Sequence, residues 1–349
     1  MKKLSWFNKI IFAFNILLTV LTFIAYVLPF LAPRLFPLLS VLTLFLPLML
    51  ILNVLFFVYW LLQLKKQMIL SALVFLIGIT FVNKFYKFSA KNIPDEGKDF
   101  VVMSYNVRLF DLYNWLQKGS VSPEISNFIK DKNPDVLCLQ EYSNNNTVDF
   151  RIFKHNYVFV EGKKTKSGQG IYSKYPIVNE GKIDFPNSTN NAIFADIKRG
   201  KDTIRIYSIH LQSVKITPDI HEIDKDINGI TQDQSMKMFK RISTSFKEQQ
   251  DQAEIIKKHK ASCHYPVIIC GDMNNSAFSY VYRNIKGNLT DAFEEAGKGF
   301  GKSYNFRYYP ARIDYVFVDK KMQVKQFETF PEFINSDHFP LVTRLAFVE

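Results

Sequence analysis

The chain has 349 residues, 48% of them apolar, and carries 44 basic against 32 acidic residues, a formal net charge of +12. Its distribution excludes a broad nucleic-acid footprint: nine basic residues and no acidic one precede Asp95, leaving 35 basic against 32 acidic in the rest. The basic surplus flanks apolar segments, which is the pattern of membrane topology. Three cysteines, Cys138, Cys263 and Cys270, have no metal-ligand spacing and imply no disulfide framework.

Residues 10–33 are uncharged and exceed the roughly 20 apolar residues that cross a bilayer core. A cleaved signal peptide is the competing reading, but the run is too long for one and more apolar sequence follows. Residues 35–64 contain Pro37, Pro47 and Asn53 and fit a tilted or kinked span. Residues 68–82 are short for a span, so the transmembrane region over 1–82 holds two or three helices. Placing Lys2, Lys3, Lys9, Lys65 and Lys66 on the cytoplasmic side leaves Arg34 in the first outer loop. Three spans then carry the remainder out of the cytoplasm, and two keep it inside. The expectation is an integral protein of the inner or plasma membrane with an extracytoplasmic domain, although Lys84, Lys87 and Lys91 weigh against that side. A transport unit gains little support, because the spans hold no ionisable residue.

Residues 83–98 read as a polar linker, and 99–349 are ample for one large domain. Within it, strand-like runs carry polar residues at their ends. Phe100 to Met103 leads to Ser104-Tyr105-Asn106, and Asp135 to Leu139 leads to Gln140-Glu141. Ile204 to Ile209 leads to His210, and Pro266 to Cys270 leads to Gly271-Asp272-Met273-Asn274. Arg312 to Val318 opens with Asp314, and Asn335-Ser336-Asp337-His338-Phe339-Pro340 precedes a last apolar run. Between them, Ser122 to Lys132 predicts a helix with Ser122 as N-cap and Pro123 in its first position. Ile242 to His259 predicts a second helix, and Lys215 to Gln234 an inserted loop. Lys163-Lys164-Thr165-Lys166 is a local basic patch that reads as a solvated loop.

Taken singly, each polar residue has a bland explanation. An Asp-x-Asn after a strand is more often a turn than a site, since both residues favour turns. Period-two alternation would instead point Asp272 and Asn274 to one side of an extended chain. Six such strand ends gathered on one sheet edge would make an active site.

The order and wording of Ser104-Tyr105-Asn106, Leu139-Gln140-Glu141, Gly170 to Ile177, Ser208 to Ser213, Gly271 to Asn274, Arg312 to Tyr315 and Ser336 to Pro340 resemble the endonuclease/exonuclease/phosphatase superfamily. Its members include DNase I-like nucleases, abasic-site endonucleases, neutral sphingomyelinases and inositol polyphosphate 5-phosphatases. The resemblance runs from about residue 99 to the C-terminus and leaves the first ninety or so residues uncovered. It implies an α/β fold, a four-layer αββα sandwich of the DNase I-like type, preceded here by the transmembrane helices. Met273 departs from the family's usual phenylalanine, a change of apolar filler.

The resemblance also implies roles. Glu141 is the first metal ligand, with Asn106 and Asp337 as further ones, and the cofactor is Mg²⁺ with Mn²⁺ as its substitute. Asp272 orients or deprotonates the attacking water, with Asn274 positioning the water or the phosphate. His338 contacts the phosphoryl group, and Asp314 fixes its ring. His210 contacts phosphate or protonates the leaving group, and Asn106 supports metal or phosphate. Tyr172 and Lys174 are weaker candidates for the mouth of the site. The expected function is a membrane-anchored, divalent-metal-dependent phosphoesterase that hydrolyses a phosphodiester or phosphomonoester by in-line attack of an oriented water. Its expected partners are the lipid bilayer and a phosphoester substrate. No motif assigns that substrate: phospholipid, small phosphodiester and nucleic acid stay open, the last not favoured by charge. The alternative is a non-catalytic membrane-tethered module that binds phosphorylated ligands.

Overall fold

The computed structural model describes residues 4–119, 121–162, 166–186, 188–214, 232–307 and 309–348, and the chain forms two compact units. The first comprises Met1–Phe85, Val214–Gln250 and Ala277–Arg283, the second Tyr86–Ser213, Asp251–Ser276 and Asn284–Glu349.

Among the described residues of the first unit, three helical stretches are long and apolar enough to cross a membrane: Trp6–Phe30, Pro37–Leu62 and Met68–Phe85. Ser5 caps the first, its Oγ accepting from the Asn8 N–H at 3.2 Å. The second is broken, as its prolines require. A turn at Pro37–Ser40 and a 3₁₀ segment Val41–Phe45 precede the regular helix Leu46–Leu62. Apolar side chains alone give such helices no preferred register against one another, so the buried polar residues set it. Asn8 Nδ2 donates to Gln63 Oε1 (2.8 Å), Trp60 Nε1 to Asn15 Oδ1 (3.0 Å) and Asn53 Nδ2 to Thr22 Oγ1 (3.1 Å). That descending series makes the first two helices antiparallel. Asn15 Nδ2 to Ser71 Oγ (3.0 Å) and Tyr26 Oη to the Val74 carbonyl (2.9 Å) run in ascending order, so the third helix parallels the first. Gly78 permits this approach, because a Cβ there would lie 1.9 Å from Tyr26 Oη. The third helix continues to Phe85, three residues past the expected end, since Asn83 and Lys84 are compatible with a helix terminus.

Two segments from far along the chain belong to the same unit. Ile242 and Phe246 pack with Val41, and Phe278 joins the cluster of Ala25, Tyr26, Leu46 and Val74. Gln250 Oε1 accepts from the Arg34 N–H at 3.0 Å, and the Arg283 guanidinium lies 4.3 Å from the Phe30 ring centroid.

Among the described residues of the second unit, twelve strands form two six-stranded sheets. They are β1 Phe100–Asn106, β2 Val136–Tyr142, β3 His155–Glu161, β4 Ser167–Ser173, β5 Ile177–Asp184, β6 Asn191–Arg199, β7 Asp202–His210, β8 Val267–Asp272, β9 Thr290–Asp291, β10 Asp314–Val318, β11 Met322–Thr329 and β12 Leu341–Phe347. The strand orders are β11-β12-β1-β2-β4-β3 and β5-β6-β7-β8-β10-β9. Each sheet mixes directions: β1–β2 and β7–β8 are parallel, while β1–β12 and β8–β10 are antiparallel.

Alternation of side chains divides these strands between two cores. Phe100, Val102, Val136 and Cys138 meet Ile204, Ile206, Ile268 and Cys270 between the sheets. The alternate residues Met103, Tyr105, Leu137 and Leu139 pack outward against Val121, Ile125 and Ile129 of the helix Val121–Lys132. On the other sheet, Tyr207 Oη is 2.9 Å from His259 Nδ1 of the long helix Gln232–Ala261. The result is a four-layer α/β sandwich.

Several sequence expectations shift. Ser122 lies inside its helix, which already includes the buried Val121, and its Oγ accepts from the Thr147 N–H at 3.4 Å. The long helix starts at Gln232 and not near Ile242: Met238 and Phe239 already continue the apolar side of Ile242 and Phe246 one turn earlier. The expected inserted loop falls outside the described residues over 215–231, as do Lys163, Lys164 and Thr165. Residues 86–98 are tied to the second unit: Lys87 N–H donates to the Gly299 carbonyl (2.8 Å) and Ile93 N–H to that of Lys325 (3.0 Å).

Candidate active site

Along each inward-facing row the residues turn from apolar to polar toward one end. Val102 is followed by Ser104 and Asn106, Cys138 by Gln140, Ile206 by Ser208 and His210, and Cys270 by Asp272. Because β1 and β2 are parallel, as are β7 and β8, these polar ends lie together. On antiparallel β10 the matching position is the first residue, and Asp314 pairs with Asp272 while His210 pairs with Asp272 from the other side. Below them, Gln140 Nε2 donates to Ser208 Oγ (2.9 Å), and Ser208 Oγ donates to Gln169 Oε1 (2.7 Å), joining the two sheets through buried polar groups.

Asp272 is 1% exposed and sits at the centre. Gly271 makes this possible: at φ 137° its missing Cβ would lie 2.0 Å from the Ile209 carbonyl oxygen. Asn274 does not continue the strand. It adopts φ 49°, donates its N–H to Asp272 Oδ1 (2.7 Å), and donates from Nδ2 to Asp272 Oδ2 (3.1 Å) and the Leu211 carbonyl (2.9 Å). The pair is adjacent through a turn, not through extended alternation.

Glu141 is reached by another irregularity. The β2–β4 register shifts between Gln140 and Tyr142, and Glu141 is the bulged residue at φ 49°. Its Oε1 accepts from Asn106 Nδ2 (3.3 Å), which also donates to Asp272 Oδ2 (3.1 Å), and lies 3.6 Å from His210 Nε2. His210 Nε2 is 3.7 Å from Asp272 Oδ2.

His338 arrives on a loop. Ser336 Oγ donates to the Asn106 carbonyl (2.8 Å) and accepts from the His338 N–H (3.2 Å), while the Phe339 N–H donates to the Ser303 carbonyl (2.8 Å). Ser303 Oγ in turn accepts from the N–H groups of Ile313 and Asp314, both at 3.0 Å. The imidazole Nδ1 then lies 2.9 Å from Asp314 Oδ2, and Nε2 lies 3.6 Å from Asp272 Oδ2. With Nδ1 as donor, Asp314 fixes the ring and Nε2 faces Asp272.

Burial, then the nearby Asp314 charge, pushes Asp272 well above the usual carboxylate range. Burial acts to lower His338, but Asp314 and Asp272 outweigh it and hold the imidazole well above its ordinary value. His210 has the same burial with weaker compensation from Glu141, and its pKa is lowered. The surroundings thus favour the cationic form of His338 and the neutral form of His210.

Seven of the expected residues, Asn106, Glu141, His210, Asp272, Asn274, Asp314 and His338, form one connected set. Asp337 stands beside it: its Oδ2 is 3.4 Å from Arg108 Nε and its Oδ1 accepts from Ser336 Oγ at 3.2 Å. It acts on both histidines through its field. Tyr172 and Lys174 are elsewhere. Tyr172 is buried under the helix-facing core, stacked 4.2 Å from Phe150. Lys174 Nζ bonds the Asn133 carbonyl and Asp135 at the opposite end of β2. Sequence reading missed Ser303 and Arg108, and quoted Ser336 within its motif without giving it a role. The two serines look like ordinary loop residues. Arg108 opens a run through Asp111 with φ of 42°, 55°, 56° and 58°, and no glycine marks it. Such conformations cost about 1–2 kcal/mol per residue.

The donor set suits a hard divalent cation, with the ligand atoms of Asp272, Asp314 and His338 within 4.8 Å of one another and Glu141 at the same centre. Because His338 Nδ1 is committed to Asp314, Glu141 with its neighbouring carboxylates is the better cation-binding edge.

The model of the endonuclease/exonuclease/phosphatase family matches residues 103–338, and that of a domain of unknown function matches residues 8–85. No curated protein matches the chain. Solved structures do. An endonuclease/exonuclease/phosphatase from Beutenbergia cavernae DSM 12333 superposes with TM-score 0.53 at 16% identity over 72% of each chain. The human Nocturnin catalytic domain with bound sulfate anion gives 0.51 at 18% identity, covering 75% of this chain and 97% of that one. The Bacteroides thetaiotaomicron mannosyl-6-phosphatase gives 0.50 at 18%, covering 71% and 100%. At these identities the likeness establishes the shared fold.

Proposed function

As the chain belongs to the endonuclease/exonuclease/phosphatase family, we propose that it is a membrane-anchored, divalent-metal-dependent phosphoesterase acting through the centre around Asp272. The observation that carries this reading is the convergence on Asp272 Oδ2 of Asn106, His210, Asn274 and His338, at 3.1, 3.7, 3.1 and 3.6 Å. Structural carboxylates do not need two histidines and two amides around one oxygen.

Glu141, supported by Asn106, would hold a Mg²⁺ or Mn²⁺ ion, which when bound neutralises charge on the phosphoryl oxygens. The remaining work falls to the side chains. Asp272 accepts a proton from the attacking water, and its raised pKa brings it nearer to the operating range of a general base. Asn274 and Asn106 hold that carboxylate in place. His338, cationic and fixed by Asp314, donates from Nε2 to a phosphoryl oxygen as charge develops. His210, on the Glu141 side, contacts the phosphoryl group or the leaving oxygen.

For the membrane part we propose three spans. The hydrogen-bond register within the first unit supports this, since the first and third helices run in the same direction and the second opposes them. With Lys9, Lys65 and Lys66 at the cytoplasmic end, Phe85 leaves the membrane on the extracytoplasmic side. Turnover of a phosphoester panel with and without Mg²⁺, using wild type and Asp272→Ala, tests the hydrolase reading.

A further inference from the structure

Arg108 is not used by the hydrolytic centre described above, yet one of its anchors, Asn106, belongs to that centre and the other, Asp337, stands beside it. Its backbone N–H donates to Asn106 Oδ1 at 3.1 Å, and its Nε lies 3.4 Å from Asp337 Oδ2. The guanidinium stands 4.5 Å from the Trp115 ring centroid, and Tyr113 meets Trp115 edge-on at 5.1 Å. Its side chain is 31% exposed, and among the described residues no partner occupies its two terminal nitrogens.

A purely structural arginine in this protein looks different. Arg205 takes Asp196 with two nitrogens, Nε at 2.6 Å and Nη2 at 2.7 Å. Arg108 instead approaches Asp337 through Nε at 3.4 Å, and among the described residues its guanidinium makes no hydrogen bond that would fill the fork. A guanidinium positioned by a ring and a carboxylate but unspent at the fork is pre-organised for two oxygens of an oxyanion. The backbone supports the same conclusion. Four successive non-glycine residues, Arg108 to Asp111, are left-handed, a conformation retained where the surroundings over-determine it and enriched at ligand clamps. Phe110 pins the run, its ring 5.4 Å from that of Tyr142.

Resting on the hydrolase reading, we infer that Arg108 is a phosphate clamp that selects a phosphomonoester over a phosphodiester. A terminal phosphoryl group has three non-bridging oxygens and up to two negative charges, so it can give two oxygens to the Arg108 fork and keep a third for another donor. A diester has only two such oxygens and one charge, so filling the fork leaves none. Asp337 and Trp115 are positioning residues for the guanidinium, the first through Nε and the second through the ring face.

The test uses the full-length protein in detergent with Mg²⁺, comparing wild type with Arg108→Gln and Arg108→Lys. Kinetics are read on p-nitrophenyl phosphate and bis(p-nitrophenyl) phosphate, and binding on inorganic phosphate and dimethyl phosphate by calorimetry. Arg108→Gln is expected to lower kcat/KM for the monoester about 10- to 100-fold more than for the diester. It should also abolish a preference for phosphate over dimethyl phosphate. Arg108→Lys, which keeps the charge without the fork, should fall between, and serves alone if the glutamine variant does not fold. Equal losses on both esters, or an unchanged monoester preference, overturn the clamp. Wild type that turns over neither ester counts against hydrolysis. The phosphate-binding preference, and its response to Arg108, then decides the clamp by itself.

Discussion

Both carboxylate oxygens of Asp272 are held by the residue two positions on: the Asn274 N–H donates to Oδ1 at 2.7 Å and its Nδ2 to Oδ2 at 3.1 Å. Asn274 reaches them from a left-handed backbone, φ 49°. The turn that residues of this type favour and the site they could build are therefore the same object.

That geometry separates two contributions of Asn274. Asn274→Ala and Asn274→Gly both lose the amide that steadies Asp272, and each should lower kcat about 10- to 100-fold. Only alanine keeps the strained φ, so the glycine variant should be more stable by about 1 kcal/mol. Chemical denaturation alongside initial rates checks both. Equal stability would remove the strain argument, and full activity would remove the role of the amide.

Gly271 should tolerate no side chain. A Cβ would lie 2.0 Å from the Ile209 carbonyl oxygen, a backbone atom of the neighbouring strand, and φ 137° is unfavourable for any other residue. Gly271→Ala is expected to destabilise the second unit by about 4 kcal/mol, from separating β7 and β8 and displacing Asp272. Thermal unfolding measures it.

The two histidines should titrate in opposite directions from their ordinary value of 6.5 in metal-free protein: His338 well above it and His210 below it. Burial lowers both, and only His338 has Asp314 and Asp272 to reverse that. The raised His338 pKa stabilises the fold below its unfolded value, and that stabilisation is lost as pH rises through the folded one. Asp314→Asn removes the leading opposing charge and should move His338 downward. Imidazole NMR titrations of wild type and variant read this directly. A His338 that titrates below 6.5 would contradict the arrangement.

The proposed three spans would place residue 92 and residue 65 on opposite sides of the membrane. A reporter that is active only outside the cytoplasm should be active when fused after residue 92 and silent after residue 65. Equal activity at both positions would contradict three spans.

Much of this site was legible in the sequence because it is built at strand ends. Period two fixed which residues face inward, and Asn106, His210, Asp272 and Asp314 all fall on that face beyond the last apolar residue. Period two does not reach the places where the backbone leaves it. Glu141 and Asn274 were named through the resemblance, but the bulge that brings in the first and the turn that brings in the second were not, and Arg108, in a left-handed run without a glycine, was not named at all. Ser303 and Ser336 act by holding loops whose partners are distant in sequence, and short hydroxyl side chains carry no signal for that. The early start of the helix Gln232–Ala261 was a misplaced boundary: Met238 and Phe239 precede Ile242 and Phe246 at helical spacing, and only the opening residues Gln232 to Ser235 are all polar.

The central claim, that Asp272 anchors a hydrolytic site, is tested most directly by Mg²⁺-dependent phosphate-ester turnover of purified full-length protein beside Asp272→Asn. The substitution keeps the volume and removes the base. The expected result is metal-dependent release of product by wild type and a loss of kcat of about 1,000-fold or more in the variant, with its unfolding transition retained. Turnover that survives Asp272→Asn within a few-fold, in protein that is folded and free of contaminating hydrolase, would contradict the account.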